Sequence, residues 1–229
     1  MPYIFEPPLQ PNVAIKDSQN RFPVRRIYCI GKNYADHTIE MGGDPKRDKP
    51  CYFSKPADAV VENGATIPFP QMTNNLHHEV ELVVALKDGG KDIKVEGAAS
   101  LIFGYAVGID LTRRDLQKMA KGAGGPWDVA KGFDNSAPMS AIIPKEDAEL
   151  SAASIIELSV NGEVRQSSKI GELIWSIEET ICGLSKLFDL QPGDLIFTGT
   201  PAGVGALKPG DKVIGSVDGV GTLSIMIGN

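Results

Sequence analysis

The alternation of hydrophobic and polar positions is clearest over residues 76–86, whose sequence is LHHEVELVVAL. Alternate side chains of a strand share a face, so one face of this segment begins with Glu79 and Glu81 and continues with Val83 and Ala85. Both faces are apolar beyond Glu81, which is typical of a strand in the middle of a sheet. The pattern therefore predicts a central strand with two carboxylates at one end, on the same side.

A second apolar segment, residues 101–110, also ends in an acidic residue, Asp110. Thr112 and Asp115 follow with the spacing of a capping box, which predicts a helix that begins here and ends at Gly122. Catalytic residues often lie where the strands of an open sheet end and helices begin. Asp110 is therefore a candidate functional residue, although an acid at such a junction can also be a plain helix-entry residue.

The rest of the chain has the pattern of a sheet-rich α+β fold with tight turns. Asn161 and Gly162 are typical of a type I′ hairpin, and Ser176 with Glu179 forms another capping box at the start of a helix. A further buried strand runs into the turn of residues 198–205, whose small side chains would let the backbone approach a ligand. Periodicity alone thus predicts a β-rich α+β architecture.

At 229 residues with 42% hydrophobic content, the chain is long enough to bury a sizeable core. Residues 1–22 are rich in proline and predict an extended N-terminal arm. Residues 23–229 are then expected to form one main domain. The three cysteines are scattered and lack metal-site spacing, so they are interpreted as reduced thiols.

Charge and hydropathy exclude several classes of partner. The formal net charge of −6 argues against a nucleic-acid or anionic-membrane surface, so a small polar substrate is the expected partner. No apolar run approaches the roughly 20 residues of a membrane helix, and the start of the chain has no signal-peptide pattern. We therefore expect a cytoplasmic protein that contacts no membrane.

The two glutamates of the central strand suggest a cation site. Two carboxylates at the end of a buried element need a compensating charge, and oxygen ligands favour Mg²⁺ or Mn²⁺ over softer metals. The alternative is a strand whose solvent face simply begins with Glu79 and Glu81. The two acids alone leave both interpretations open.

A short helix is predicted over residues 33–41, where Asn33 and Asp36 have capping-box spacing. His37 and Glu40 are three residues apart, so the carboxylate could orient the imidazole as a general base for water. A surface histidine beside a surface glutamate is the simpler alternative. The polar loop that follows could close over a site together with the helix.

Two further stretches carry candidate substrate contacts. Arg114 and Gln117 are neighbours on one helix and match the carboxylate and carbonyl of an organic acid, although exposed polar residues are equally common on helices. Lys131 follows a short apolar pair and would need an anionic partner if it is buried. A ligand carboxylate is one candidate for that partner.

These residues resemble the fumarylacetoacetate hydrolase family over nearly the whole chain. The motifs that carry the resemblance occur in family order: YCIGKNYADH at 28–37, HEVE at 78–81, GIDLTRRD at 108–115, PWDVAK at 126–131 and TGTPAGVG at 198–205. The single-domain bacterial acylpyruvases are the most similar group within it. The resemblance implies a mixed β-roll, which is an α+β domain dominated by sheet, and a homodimer.

The family's functional positions fall on residues already singled out. The resemblance implies that Mg²⁺ or Mn²⁺ is held by Glu79, Glu81 and Asp110. It implies that His37, oriented by Glu40, activates water. The remaining implied roles are substrate contacts for Arg114, Gln117 and Thr200, and assistance to the reacting enolate for Lys131.

The implied reaction is hydrolysis of a carbon–carbon bond in an acylpyruvate, a β-diketo acid, with fumarylpyruvate as the favoured case. Oxaloacetate decarboxylation would use the same metal and enolate without an attacking water, and isomerisation of a dienoate or keto–enol pair is a third use. A structural cation with an incidental histidine is the non-enzymatic alternative. The acyl tail stays open, because Lys32, Lys55, Lys121 or Arg113 could meet a distal carboxylate.

Overall fold

A computed structural model of the chain describes residues 3–45 and 49–229. In that part of the chain the backbone forms eighteen strands and five short α-helices. The strands are β1 (Asn12–Ala14), β2 (Arg21–Pro23), β3 (Arg26–Gly31), β4 (Cys51–Lys55), β5 (Val60–Glu62), β6 (Thr66–Ile67), β7 (Leu76–His78), β8 (Val80–Leu86), β9 (Ile102–Ile109), β10 (Thr112–Arg113), β11 (Ala137–Met139), β12 (Ile143–Pro144), β13 (Ile155–Val160), β14 (Glu163–Lys169), β15 (Asp194–Phe197), β16 (Gly205–Ala206), β17 (Lys212–Val217) and β18 (Gly221–Ile227). The helices are α1 (Ala35–Glu40), α2 (Val95–Ala98), α3 (Arg114–Ala123), α4 (Asp128–Lys131) and α5 (Ile177–Ser185).

The main sheet has eight strands, in the order β4-β3-β15-β8-β9-β11-β5 with β12 paired to β9. Strand β8 runs antiparallel to β9 and β15, and all of its residues are buried. A five-stranded sheet, β14-β13-β17-β18-β6, packs against one face of the main sheet. The sheet-dominated α+β architecture expected from the sequence is confirmed.

The two faces of β8 belong to two different cores, as its alternation predicts. Val80 and Leu82 pack in the larger core, between the two sheets, whereas Val83 and Ala85 pack in the smaller core on the opposite face. The predicted strand is interrupted at Glu79, so that β7 leaves the main sheet and pairs with β10 and β16 instead. The acids thus lie where one sheet passes into another.

The predicted hairpin and one of the predicted helix caps are confirmed. Asn161 and Gly162 have φ angles of 53° and 84° and join β13 to β14. The Ser176 side chain accepts a hydrogen bond from the Glu179 N–H, and the Glu179 carboxylate accepts one from the Ser176 N–H, so the capping box at α5 is complete.

The capping box predicted for Asn33 and Asp36 is wrong. Helix α1 begins at Ala35 without a side-chain cap, and Asp36 is exposed. The Asn33 side chain instead donates to the backbone carbonyls of Thr198 and Trp175, at 2.8 and 3.1 Å. A buried carbonyl without a hydrogen bond costs more free energy than a helix end that water can reach, so the Asn33 side chain bonds these carbonyls instead of capping α1.

The capping box predicted for Thr112 and Asp115 is also wrong. Helix α3 begins at Arg114 without a side-chain cap. Thr112 lies in β10, and its hydroxyl accepts a hydrogen bond from Lys131 at 2.7 Å. Asp115 accepts a hydrogen bond from the Thr73 hydroxyl at 2.6 Å, which ties α3 to the segment before β7.

The N-terminal region contains a hairpin within the stretch predicted to be an extended arm. Residues 3–10 are exposed and lack regular structure, but β1 and β2 pair and bury Val13 and Phe22 in the smaller core. Residues 46–48, in the loop predicted to follow α1, lie outside the described residues. Among the helices of the described chain, none has the length and apolar character needed to cross a membrane.

Candidate active site

Three carboxylates meet at the junction of the two sheets. One oxygen of each of Glu79, Glu81 and Asp110 lies within 4.8 Å of the others, and all three residues are buried. The Asp110 N–H donates to the Glu79 carbonyl at 2.8 Å, which fixes the end of β9 against the interruption between β7 and β8. Glu81 follows on β8 and accepts a hydrogen bond from the Gly199 N–H at 2.7 Å.

Lys131 is the principal counter-charge of this cluster. It ends α4, and its ammonium donates to Glu79 at 2.7 Å, to Asp110 at 2.5 Å and to Thr112 at 2.7 Å. The centre of the Phe53 ring lies 4.9 Å from the Lys131 Nζ, so an aromatic ring also packs against the ammonium. An ammonium has three N–H groups, so all of them are used within the cluster.

Lys55 lies beneath Asp110. Its Nζ is 2.8 Å from Oδ1 of Asp110, while its hydrogen bonds go to the backbone carbonyls of Leu111 and Lys131. Among the described residues, none donates a hydrogen bond of normal geometry to that Oδ1, which is fully buried. This oxygen therefore has Lys55 as an ion-pair partner but receives no well-aligned hydrogen bond.

Arg114 and Gln117 approach the cluster from α3. The Arg114 guanidinium donates to the Gln117 amide oxygen at 2.6 Å and also to Glu79. Both side chains line the pocket that contains Glu79 and Glu81. The two side chains predicted from helical spacing to be neighbours are thus in contact. Gln117 is the buried residue of α3, whereas the apolar Met119 is exposed.

Burial and charge separate the pKa values of the two glutamates. Burial and the neighbouring carboxylates of Asp110 and Glu79 raise the pKa of Glu81 well above its ordinary value. Burial opposes ionisation of Glu79 as well, but Lys131 and Arg114 hold its pKa well below the ordinary value. The cluster therefore has a carboxylate, Glu81, that lacks sufficient positive charge nearby.

The cluster fits a hard divalent cation. Its three candidate ligands are carboxylates on buried residues, and an oxygen of each lies within 4.8 Å of the others. A divalent cation would also supply the positive charge that Glu81 lacks. Oxygen-only donor sets select Mg²⁺ or Mn²⁺ over softer metals.

His37 reaches the same pocket from α1. Its Nδ1 lies 3.0 Å from the Glu40 carboxylate, and since a carboxylate only accepts, Nδ1 carries a hydrogen, which leaves Nε2 with the lone pair in the neutral imidazole. The other Glu40 oxygen accepts a hydrogen bond from the Gly203 N–H at 3.2 Å. The imidazole is buried and lines the pocket, so the alternative of a surface pair does not describe this histidine.

Thr200 completes the pocket on the turn after β15, where the small residues let the backbone pass close to Glu81. Gly199 has a φ of +99°, and a Cβ on it would lie 2.7 Å from the Cβ of Asn33. Glycine is therefore required there, both by conformation and by space. All nine predicted site residues lie in or directly around one pocket: Asp110 and Glu40 contact its walls, and the other seven line it.

The structure also distinguishes among the four cationic side chains that could bind a distal carboxylate of the substrate. Lys55 is buried and engaged with Asp110, while Arg113 donates to the Val129 carbonyl and stacks 4.4 Å above the Phe133 ring, outside this pocket. Lys32 and Lys121 line the pocket. Lys121 has its Nζ 5.1 Å from the centre of the Trp127 ring.

Comparison with known proteins identifies the family. The family model described as fumarylacetoacetate hydrolase C-terminal matches residues 26–227. The chain belongs to the fumarylacetoacetate hydrolase family. The predictions of this family and of an enzyme class, hydrolases that act on carbon–carbon bonds, are confirmed.

Three relatives within the family are particularly informative. Fumarylpyruvate hydrolase of Ralstonia sp is 44% identical over 185 residues, which cover 81% of this chain and 96% of that protein. A fumarylpyruvate hydrolase from Pseudomonas aeruginosa, solved in complex with Mn²⁺ and pyruvate, is 46% identical with a TM-score of 0.97 and covers 99% of each chain. The mitochondrial oxaloacetate tautomerase of Rattus norvegicus is 43% identical over 196 residues, which cover 86% of this chain and 88% of that protein.

Proposed function

We propose that this enzyme hydrolyses acylpyruvates and that fumarylpyruvate is its favoured substrate. The observation that carries the proposal is that His37, with its lone pair fixed by Glu40, lines the same pocket as Glu79 and Glu81. A general base and a cation site are the two parts that hydrolysis of a β-diketo acid requires. Similarity to two fumarylpyruvate hydrolases supports the substrate. A cytoplasmic homodimer is proposed with it, on the resemblance alone.

The acid cluster would hold Mg²⁺ or Mn²⁺ through Glu79, Glu81 and Asp110, and when bound such an ion supplies Lewis-acid polarisation of the 2-keto acid. Lys131 keeps a buried positive charge between Glu79 and Asp110, beside the position where the enolate charge would develop.

Binding of the 2-keto acid is assigned to Arg114 and Thr200, which line the same pocket as His37. Arg114 offers a planar guanidinium that is already held in place by Gln117, so little side-chain entropy is lost when it binds a carboxylate. Thr200 adds a hydroxyl from the turn after β15.

Water activation is assigned to His37. Nε2 would accept a proton from water, and the Glu40 carboxylate, 3.0 Å from Nδ1, would stabilise the imidazolium that results. The hydroxyl then adds to the acyl carbon, and the bond from this carbon to the methylene of the pyruvate unit breaks. A proton is finally delivered to that methylene carbon, so that the products are pyruvate and a carboxylic acid.

A second candidate is keto–enol tautomerisation of oxaloacetate, and the observation that favours it is the 43% identity to the rat oxaloacetate tautomerase. Tautomerisation uses the same enolate but breaks no carbon–carbon bond and consumes no water. Decarboxylation of oxaloacetate likewise needs no attacking water. The three reactions therefore differ in their demand for a water-activating base.

The deciding experiment compares wild type with His37→Ala. With Mg²⁺ present, steady-state rates are measured for fumarylpyruvate, acetylpyruvate and oxaloacetate, following pyruvate release and loss of the enol absorbance separately. The proposed function predicts that wild type releases pyruvate fastest from fumarylpyruvate. His37→Ala should lower hydrolysis by about 10²–10⁴-fold, the usual cost of a lost general base, and oxaloacetate decarboxylation much less.

Asp36→Asn is the matched control, because Asp36 lies on the same helix but is exposed and does not line the pocket. Its hydrolysis rate should equal that of wild type. Unchanged hydrolysis in His37→Ala, or a wild type that only interconverts the oxaloacetate tautomers, would remove acylpyruvate hydrolysis as the function.

A further inference from the structure

Gln166 is a buried side chain on an otherwise exposed edge strand. Five of the seven residues of β14 are exposed and one is partly exposed, whereas Gln166 has no exposed surface. The pairing of β13 with β14 shifts register beside it, because Leu158 pairs with Gln166 but Ser159 pairs with Val164. Bulges of this kind aim a side chain away from the regular pleat, and here the amide points towards the turn that carries Thr200.

Two backbone groups fix the orientation of the Gln166 amide. Its Oε1 accepts a hydrogen bond from the Val80 N–H at 3.1 Å, and its Nε2 donates to the Pro201 carbonyl at 2.8 Å. Rotating the amide by half a turn would bring two donors together at Val80 and two acceptors together at Pro201. Since both positions are buried, that arrangement would leave both backbone groups without partners.

The fixed amide also determines the direction of the Thr200 hydroxyl. The second N–H of Nε2 donates to Oγ1 of Thr200 at 2.7 Å, so this oxygen is the acceptor in that contact. The Thr200 hydrogen must therefore point elsewhere. Thr200 lines the pocket together with Arg114 and Glu81, and among the described residues its hydroxyl makes one hydrogen bond, the one that it accepts from Gln166.

We infer that Gln166 is a positioning residue that makes the Thr200 hydroxyl a hydrogen-bond donor to the 2-keto acid in the pocket. The inference rests on the proposed function, because that function supplies the ligand. A hydroxyl that is free to rotate can either donate or accept, but one whose lone pair is already engaged is prepared to donate to an anion. The Oε1 side of the same amide accepts from His78 Nδ1 at 2.9 Å, which ties the arrangement to the strand that precedes Glu79.

The test measures pyruvate binding by calorimetry to the Mn²⁺-loaded protein, with Mn²⁺ binding and the melting temperature measured in parallel. Gln166→Glu keeps an acceptor for Val80 and His78 but replaces the donor with a second acceptor, so the Thr200 hydroxyl should turn away from the pocket. We expect Gln166→Glu and Thr200→Val each to weaken pyruvate binding by about 10- to 100-fold, the range for a hydrogen bond to a charged group. Mn²⁺ affinity should stay at the wild-type value in Thr200→Val, which adds no charge near the acid cluster.

The double variant separates positioning from general damage. If Gln166 acts through Thr200, Gln166→Glu in a Thr200→Val background should cause no further loss of pyruvate binding. Thr200→Ser keeps the hydroxyl and should bind pyruvate more tightly than Thr200→Val does. Lys169→Gln is the control on the same strand, since Lys169 is exposed and is not a partner of the Gln166 amide.

Several outcomes would overturn the inference: wild-type pyruvate affinity in Gln166→Glu or in Thr200→Val, or additive losses in the double variant. If Gln166→Glu does not fold, Gln166→Met takes its place, because a side chain of equal length without an amide leaves the Thr200 hydroxyl unoriented and should still weaken binding. Failure of the proposed function gives a different result, namely wild-type protein that binds pyruvate normally but does not release it from fumarylpyruvate.

Discussion

Replacing Glu81 by Gln should leave the metal-free protein at least as stable as wild type but reduce the stabilisation that a bound metal ion provides. The substitution removes one of three clustered charges but keeps an oxygen that can accept the hydrogen bond from the Gly199 N–H. The shape of the buried site is therefore preserved. Only the charge changes, and its loss has opposite effects on the two states.

The magnitudes follow from the geometry. Two ionised carboxylates at the 4.8 Å limit of the cluster would repel each other by about 3.5 kcal/mol at an effective dielectric constant of about 20, and this repulsion contributes to the raised pKa of Glu81. Glu81 has two such neighbours and is not bonded to Lys131, so metal-free Glu81→Gln should be at least as stable as wild type. Loss of the formal charge of a direct ligand should weaken Mn²⁺ binding by at least about 100-fold, since even outer ligand partners cost about 10- to 100-fold.

These affinities translate into melting temperatures. At a Mn²⁺ concentration about 100 times its wild-type dissociation constant, binding stabilises the folded protein by about 2.7 kcal/mol. For a chain of this size, about 1 kcal/mol corresponds to about 2–4 °C, so wild type should gain about 5–11 °C. At the same concentration Glu81→Gln would be half saturated, and its gain should be about 1–2 °C.

The assay is thermal unfolding followed by circular dichroism, on protein treated with EDTA and dialysed, before and after addition of Mn²⁺. Glu163→Gln is the control, because Glu163 is an exposed residue that pairs with Arg165 on β14. The reasoning would be refuted if Mn²⁺ raised the melting temperature of Glu81→Gln as much as that of wild type. A metal-free variant that melts well below wild type would contradict the assigned repulsion.

Two further predictions concern the tail subsite and the turn after β15. Lys121→Met should raise KM for fumarylpyruvate by about 10- to 100-fold, the value of a charged hydrogen bond, in a steady-state assay. The KM for acetylpyruvate should stay unchanged, because this substrate has no distal carboxylate. Lys118→Met, at an exposed position of the same helix, is the control and should change neither KM. Gly199→Ala should destabilise the protein by more than the about 1–3 kcal/mol of a strained φ, because its Cβ would also meet Asn33 at 2.7 Å. Gly162→Ala, with a φ of +84° and open space, isolates the strain, and denaturant unfolding of the two variants checks the difference.

The sequence predicted the parts of the site that depend on local periodicity. Glu79 and Glu81 could be placed on one side of a central strand because side chains alternate with a period of two and apolar residues surround them. The contact between His37 and Glu40 could be predicted for a similar reason, since helical spacing alone brings them together. Such inferences need no knowledge of the partner elements.

The parts that were missed or predicted wrongly depend on contacts between distant segments. Asn33 has the local spacing of a helix cap, but the carbonyl it binds belongs to Thr198, in a strand end that local spacing cannot reveal. Lys55 could not be assigned to a ligand or to solvent from its position before a proline, and only the fold places it against Asp110. Gln166 had no signal at all, because a polar residue in an exposed hairpin strand is the ordinary case.

The charge of the assembled site bears on which acylpyruvate it selects. Glu79, Glu81 and Asp110 carry three formal negative charges, and Lys55, Lys131 and Arg114, which pair with them, carry three positive ones. A bound divalent cation would therefore leave this buried group with a net charge of +2. The carboxylate next to the keto group, which every acylpyruvate has, neutralises one of these charges, and a second carboxylate adds further negative charge to the substrate. Burial makes such an imbalance costly, so the site should favour fumarylpyruvate over acetylpyruvate. Oxaloacetate is also a dicarboxylate but is shorter than fumarylpyruvate. The separation between the acid cluster and Lys121 should therefore decide which of these two dicarboxylates the site prefers. For this reason, loss of the Lys121 charge should weaken binding of fumarylpyruvate more than binding of oxaloacetate.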